Sequence, residues 1–548
     1  MSARLLLLVA FLAAPTLGTA DGPSVSTRPG LVPGPHPVGY RNEVLLDDAR
    51  AYRTAFDGGA TYGGDDGAAR PVLLQLWYPA ADEAADAAPM PTADYFRIDA
   101  GEETAAWAGG LAAHAKDVAA ELLLGAPVDA LDGAAREVFD GWLAGSTACR
   151  RGAAPADGPF PLVVWHSGAG SSYEENALLA EHLASRGYVV AGSAYVDEDG
   201  SGYGVDGGET SVDDLELLAR HVGALPFVDG ARVAFAGHSL GAQACLRAAC
   251  REAPVADALV LLDSTLDDYG LTTPTFGPIL PLVRGATDRI DVPMLVAAGP
   301  QAGFVLIDRL ARADRTYLQV PGLGHDEFTA QGVTRLVLLA RLDALEPDPA
   351  RAAEVARADP VAARHAELVD AVRCFLDATL GGAGEEFDAL AERLVARPLG
   401  GDALSAERAP PGTTAPPPYD PSSGRPPTPR QLRPLLAAAG VDGVRAALLG
   451  ARDASPPAPI LSGGMFAAGW LIDLVDAGRA DEARALRSAY EEAGVRPLGT
   501  LRFLARLAGL VGRPERQRAV LDAAAEIAPD DPEILAALEQ LGAPVRDG

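Results

Sequence analysis

Val233-Ala-Phe-Ala-Gly-His-Ser-Leu-Gly-Ala242 is the stretch whose reading decides the fold. It opens as a short apolar strand, passes through the G-x-S-x-G sequence Gly237-His238-Ser239-Leu240-Gly241, and runs into the helix-prone segment Ala242 to Arg251. A strand, a tight turn and a helix in that order hold a serine on a strained turn with its hydroxyl presented, and the flanking glycines leave the backbone room to double back. An ordinary Gly-rich turn needs neither the strand before nor the helix after. Ser239 is therefore the candidate nucleophile.

Working outward, short apolar runs predict strands at Val72 to Pro79, Leu162 to Trp165, Val189 to Ser193, Arg232 to Phe235, Ala258 to Asp263, Met294 to Ala298 and Tyr317 to Val320. Between them, helical patterns cover Glu174 to Arg186, Ser211 to Val222, Leu240 to Arg251 and Phe304 to Ala313, with Val333 to Leu345 and Val361 to Leu380 closing the unit. Such alternation predicts an α/β domain with a mostly parallel sheet covered on both faces. An Ala-rich helical stretch at about 91–158 falls between two strands and reads as an insertion over the sheet, placed to act as a lid.

The expected organisation is a signal peptide at 1–20, an α/β unit at 21–383, a helix and Pro-rich linker at 384–430, and an all-α region at 431–548. Met1 to Ala20 carries Arg4, an apolar run from Leu5 to Leu17 and small residues before Asp21, the pattern of a secretory signal. A secreted or periplasmic location follows, and no later segment reads as long and apolar enough to span a membrane. In the last region, Gly478-Arg-Ala-Asp-Glu-Ala and Gly512-Arg-Pro-Glu-Arg-Gln begin 34 residues apart, the period of tetratricopeptide-type hairpins, which would suit a protein partner.

Acidic residues outnumber basic ones by 75 to 45, for a formal charge of −30, and Lys116 is the only lysine. That surface repels phosphate backbones, so nucleic-acid binding is not expected. The four cysteines, Cys149, Cys245, Cys250 and Cys374, form no C-x-x-C pair and read as small buried apolar groups. Asp197-Glu-Asp-Gly-Ser-Gly202 resembles the start of a calcium loop, but the terminal glutamate slot is Gly208, so no metal and no cofactor are expected.

A serine needs a base, and the base needs a group to orient it. Of the two histidines beyond the elbow, His365 sits in a helical pattern and reads as part of a solvated face. His325 follows a strand through Pro321-Gly-Leu-Gly324 and would stand at the carboxyl edge of the sheet. For the acid, Asp263 ends the strand after the elbow's helix, 24 residues beyond Ser239. Gly299-Pro-Gln-Ala-Gly303, after the next strand, offers no carboxylate, leaving Asp267, Asp268 and Asp326 as fallbacks. Oxyanion donors are expected from the amides of Leu240 and, in the loop His166-Ser-Gly-Ala-Gly170, Ala169. His166 precedes the elbow and is expected to shape that loop.

Pro161-Leu-Val-Val-Trp-His-Ser-Gly-Ala-Gly170, Gly237-His-Ser-Leu-Gly241, Leu262-Asp263, Gly324-His325 and the early Leu74-Gln-Leu-Trp-Tyr-Pro79 together resemble the platelet-activating-factor acetylhydrolase-like branch of the α/β-hydrolases, over roughly Pro37 to Leu380. The resemblance implies an α/β-hydrolase fold and a calcium-independent serine esterase of lipase type, with Ser239, Asp263 and His325 as triad. A small ester or lipid-like molecule is then the expected substrate. A peptidase of the same fold, or a degenerate scaffold serving the helical region, are the alternatives.

Overall fold

The computed structural model describes residues 31–51, 69–195, 209–264 and 279–542, apart from positions 301, 305, 383, 398–402, 415, 417, 424–426, 454–463 and 511–513. The signal-peptide segment, the calcium-like loop and the fallback acids Asp267 and Asp268 lie outside the described residues.

Among the described residues, ten strands form one sheet: β1 (Val38–Ala51), β2 (Ala69–Pro79), β3 (Cys149–Arg151), β4 (Phe160–His166), β5 (Val189–Gly192), β6 (Val228–His238), β7 (Ala258–Leu262), β8 (Met294–Ala298), β9 (Arg315–Gln319) and β10 (Ser405–Ala409). Their spatial order is β10-β9-β8-β7-β6-β4-β5-β2-β1-β3. From β5 to β9 every pairing is parallel. β2 pairs antiparallel with both β5 and β1, and β10 pairs antiparallel with β9. This is a mostly parallel α/β sheet, followed by an all-helical C-terminal region.

The central strands are continuous apolar runs because both of their faces are covered. Leu162 and Val164 of β4 enter one core with Val233 and Phe235 of β6, while Val163 and Trp165 enter the opposite core with Ala234 and Ala236. Each fully buried side chain of Leu or Phe size contributes roughly 1.5–3 kcal/mol. In the insertion, helices Ala105–Leu124 and Gly133–Ala144 pack Leu123 and Phe139 against Leu338 and Leu342. The short β3 adds a strand to the same stretch, bound parallel to β1.

Several expectations are corrected. The helix expected over Phe304 to Ala313 is a single 3-10 turn, Ile307–Arg309. The buried Arg315 guanidinium donates to the carbonyls of Ile307, at 3.1 Å, and Asp308, at 2.9 Å, which a continuing helix would have needed for its own amides. Within the segment expected as helix and linker, 384–430, the residues just before the prolines return to the sheet as β10, whose Ser405, Ala406 and Ala409 are small enough to be buried at its edge. His365 is 2% exposed. On helix Ala358–Thr379 it falls in line with Val361, Leu368 and Val372, on the stripe packed into the core.

Contrary to the reading that no later segment is long and apolar enough, helix Pro429–Asp453 meets the length and mean-hydropathy criteria for a membrane span. Gly440, at φ 64° and ψ −171°, divides it into two shorter helices, and a span needs about 20 uninterrupted residues. Beyond it, helices Gly464–Asp476, Ala480–Glu492, Pro497–Leu510, Pro514–Ile527 and Pro532–Gly542 share a separate core built on Trp470, Leu471, Leu486, Tyr490, Leu504 and Ile527.

Candidate active site

Register brings the site together. His166 of β4 pairs with Gly237 of β6, and His238 pairs with Leu262 of β7, so the residues that follow these strands emerge side by side at one carboxyl edge. Ser239 sits at φ 54° and ψ −121°, backbone that a side-chain-bearing residue rarely adopts. It is held there by its own amide donating to the Leu262 carbonyl at 2.9 Å and by its carbonyl accepting from Gln243 at 3.3 Å. The two flanking glycines are sterically required. A Cβ on Gly237 would come within 2.5 Å of the Gly241 backbone, and one on Gly241 within 2.2 Å of the His166 carbonyl oxygen.

Asp263 follows β7 directly, its amide donating to the Ala297 carbonyl at 2.7 Å, and it too has a positive φ, 41°. His325 stands in a 3-10 turn, His325–Phe328. Glu327 fixes that turn, accepting from the Gly324 amide at 2.7 Å and from the Arg357 guanidinium at 2.6 Å. Gly332 allows the next helix to close on it, since a Cβ there would lie 2.2 Å from the Asp326 carbonyl oxygen.

These three side chains form one hydrogen-bonded line. His325 Nε2 is 3.0 Å from Ser239 Oγ, and His325 Nδ1 is 2.6 Å from Asp263 Oδ2. The serine is almost enclosed at 9% exposure, Asp263 is half-buried, and the imidazole opens to solvent at 40%. Asp326 is exposed beside His325, whose Nδ1 is directed at Asp263 instead. A nucleophile, a base within hydrogen-bond reach of it, and a carboxylate orienting that base is the arrangement required for acyl transfer.

Of the expected oxyanion donors, Leu240 begins the helix Leu240–Ala249 directly after Ser239. Ala169 is exposed in the loop after β4 and lines a cavity of about 70 Å³ with Gly170, Ser171, His238 and Leu122. The loop approaches the serine closely: a Cβ on Gly168 would lie 3.4 Å from Ser239 Cβ. His166 is fully buried, stacked on Tyr195 at 3.6 Å between ring centroids, with Nδ1 2.7 Å from the Ser167 carbonyl. Burial pushes its imidazole down to about 3, so it stays neutral and shapes the loop.

Sequence reasoning missed a second layer. The helix expected from Glu174 begins at Ala177 instead, and the Glu174 and Glu175 carboxyl groups are buried behind the loop that follows β4. Burial raises Glu174 to about 7; its Oε1 accepts from Ser172 Oγ at 2.5 Å, and its Oε2 has no hydrogen-bond partner among the described residues. Glu175 accepts from the Gly168 amide and faces His238. Paired acids four residues past a glycine loop were the available signal. Among the described residues no cluster of His, Cys, Asp or Glu is arranged to hold a metal ion. All four cysteines are buried, and none is in a disulfide.

No family model matches this chain. No curated protein matches it either. Among solved structures it is similar to a ferulic acid esterase from Streptomyces cinnamoneus, at 21% identity over 66% of this chain and 93% of that one, with a TM-score of 0.41. It is also similar to a puromycin-hydrolyzing peptidase of Mycobacterium tuberculosis, at 17% identity over 61% of this chain and 39% of that one, with a TM-score of 0.32.

Proposed function

We propose that the protein is a serine hydrolase that cleaves carboxylic esters through an acyl-enzyme. The observation that carries this reading is the continuous line from Ser239 Oγ through the His325 imidazole to Asp263 at one edge of the sheet. Ser239 Oγ attacks the ester carbonyl while His325 Nε2 takes its proton, and Asp263 holds Nδ1–H so that the correct nitrogen faces the serine. The amides of Leu240 and Ala169 receive the developing oxyanion. Collapse expels the alcohol with the proton from His325, and water repeats the sequence on the acyl-enzyme to release the acid.

The substrate class is a small or short-chain ester, lipid-like in the manner of the platelet-activating-factor acetylhydrolase-like branch. What supports it is the motif set quoted above together with the small cavity beside the oxyanion loop. Export rests on the Met1 to Ala20 pattern, and a protein-binding, tetratricopeptide-like role for the last helices rests on their 34-residue spacing. A fluorophosphonate probe should label wild type and not Ser239→Ala, with both folded, and p-nitrophenyl esters should be turned over faster than aminoacyl anilides. Labelling that persists in Ser239→Ala would sink the nucleophile assignment. Preference for the anilides would replace the esterase with a peptidase, and no labelling of wild type would leave a scaffold.

A further inference from the structure

Behind the oxyanion loop, one carboxyl group is connected to both halves of the proposed catalytic apparatus. Glu175, 1% exposed, accepts from the Gly168 amide through Oε1 at 3.0 Å. Its Oε2 lies 3.8 Å from Nδ1 of His238, itself only 4% exposed. That is ion-pair separation, longer than a hydrogen bond, and His238 Nδ1 has no hydrogen-bond partner among the described residues. On the far side of the ring, His238 Nε2 is 2.9 Å from the backbone carbonyl of His325, and the two imidazoles lie 4.7 Å apart. Since a carbonyl only accepts, Nε2 must carry its proton. Burial pushes the His238 imidazole down, but the Glu175 carboxyl, the Asp263 charge and the His325 carbonyl outweigh it and leave it above the ordinary histidine range.

The connection has a mechanical sense. Gly168 belongs to the loop that carries Ala169, and the Glu175 backbone carbonyl also accepts from the Gln331 amide at 2.8 Å, at the start of the helix after His325. Resting on the reading of Ser239 as nucleophile, we propose that Glu175 and His238 are a positioning pair. They set the oxyanion loop and the general base relative to one another, and neither touches a reacting atom. A buried carboxyl group bridging a loop amide and a histidine has a large desolvation cost, and a packing role alone is met by apolar residues. Displacement of catalytic groups by about 1 Å costs up to roughly 100-fold in rate, so a pair that fixes two of them is visible in kcat.

The test is a double-mutant cycle with Glu175→Gln and His238→Asn, following kcat and KM for p-nitrophenyl acetate, with thermal melting as the check on folding. Glutamine retains an acceptor for Gly168 and removes the charge, whereas asparagine is too short to reach the His325 carbonyl. Each single variant should lower kcat about tenfold with KM within about twofold. The double variant should lose about tenfold as well, because the residues act as one unit. Unchanged kcat in folded variants, a rise in KM alone, or losses multiplying to about a hundredfold would overturn the pairing. Should Glu175→Gln not fold, His238→Asn alone still carries the test of kcat against KM. Wild type that takes up fluorophosphonate while the variants turn over normally condemns only this inference; wild type inert to both probe and ester removes the hydrolase reading and this one with it.

Discussion

Among the described residues, two of the places that hold charge away from water do so in opposite ways. At the junction with the C-terminal helices, Arg430 is 3% exposed, donates to both oxygens of Asp308 at 2.6 to 3.1 Å, reaches Glu407 at 2.6 Å, and lies over the Tyr317 ring at 3.9 Å. At the carboxyl edge of the sheet, Glu175 and His238 stand 3.8 Å apart, His325 is open to solvent, and Ser239 and Asp263 both have positive φ. The junction is closely paired, as suits a contact that only has to hold. The edge keeps its strain and its open imidazole, as the proposed proton exchange with a substrate would require. Damage at the two places should therefore appear in different measurements.

The largest effect is expected from Asp263→Asn. It preserves shape but favours the wrong His325 tautomer, so kcat for p-nitrophenyl acetate should fall by about 10^4-fold with little change in melting temperature. Retained activity would move the acid elsewhere. At the junction, Arg430→Ala leaves the half-buried Asp308 and Glu407 without their cation, Asp308 keeping only the Tyr317 hydroxyl, and denaturant unfolding should show a loss approaching about 3 kcal/mol. The fraction that remains folded should keep wild-type kcat. A fall in kcat there would break the separation between the two regions.

Glu174 sharpens the contrast because its buried carboxyl group is neutral by preference. Its folded value, about 7, is raised above the unfolded 4.5, so its contribution to stability is fully present below about pH 4.5 and is lost as pH rises through 7. Glu174→Gln should flatten that part of the stability profile by at most about 3 kcal/mol, measured as melting temperature against pH. His166 and His365, lowered by burial to about 3 and about 4, act in the other direction. Their stabilisation is present above pH 6.5 and is lost as pH falls through those values.

What was readable in the sequence follows from what is local. β8 was placed to the residue because an apolar run between polar ends is its own signal, and the elbow was readable because glycine on both sides of a serine has a steric cause. The order of Ser239, Asp263 and His325 along the chain also pointed to their meeting, since parallel strands end at one edge. What failed is tertiary. Nothing near Phe304 announces that Arg315 will capture its helix carbonyls, and nothing in Ser405 to Ala409 has strand propensity before β9 offers it an edge. His365 was misjudged because a polar residue on an apolar stripe was weighed by type and not by position. Glu175 escaped because its two partners come from Gly168 and His238, which only the folded chain brings to it.

The smallest effect bears on whether the strain at the elbow is real. At φ 54° and ψ −121°, a residue with a Cβ costs about 1–3 kcal/mol, whereas glycine tolerates that backbone and gives back about 0.4–1 kcal/mol through its freer unfolded chain. Ser239→Gly should therefore abolish turnover yet raise stability by roughly 1 kcal/mol, a shift of a few degrees or less for a chain of this size. No such exchange is available at Arg430, whose guanidinium faces two carboxylates, and each substitution there should only lose. An unchanged or lower melting temperature in Ser239→Gly would mean that the Leu262 and Gln243 backbone bonds relax the turn completely, and that the site and the junction differ in exposure but not in stored strain.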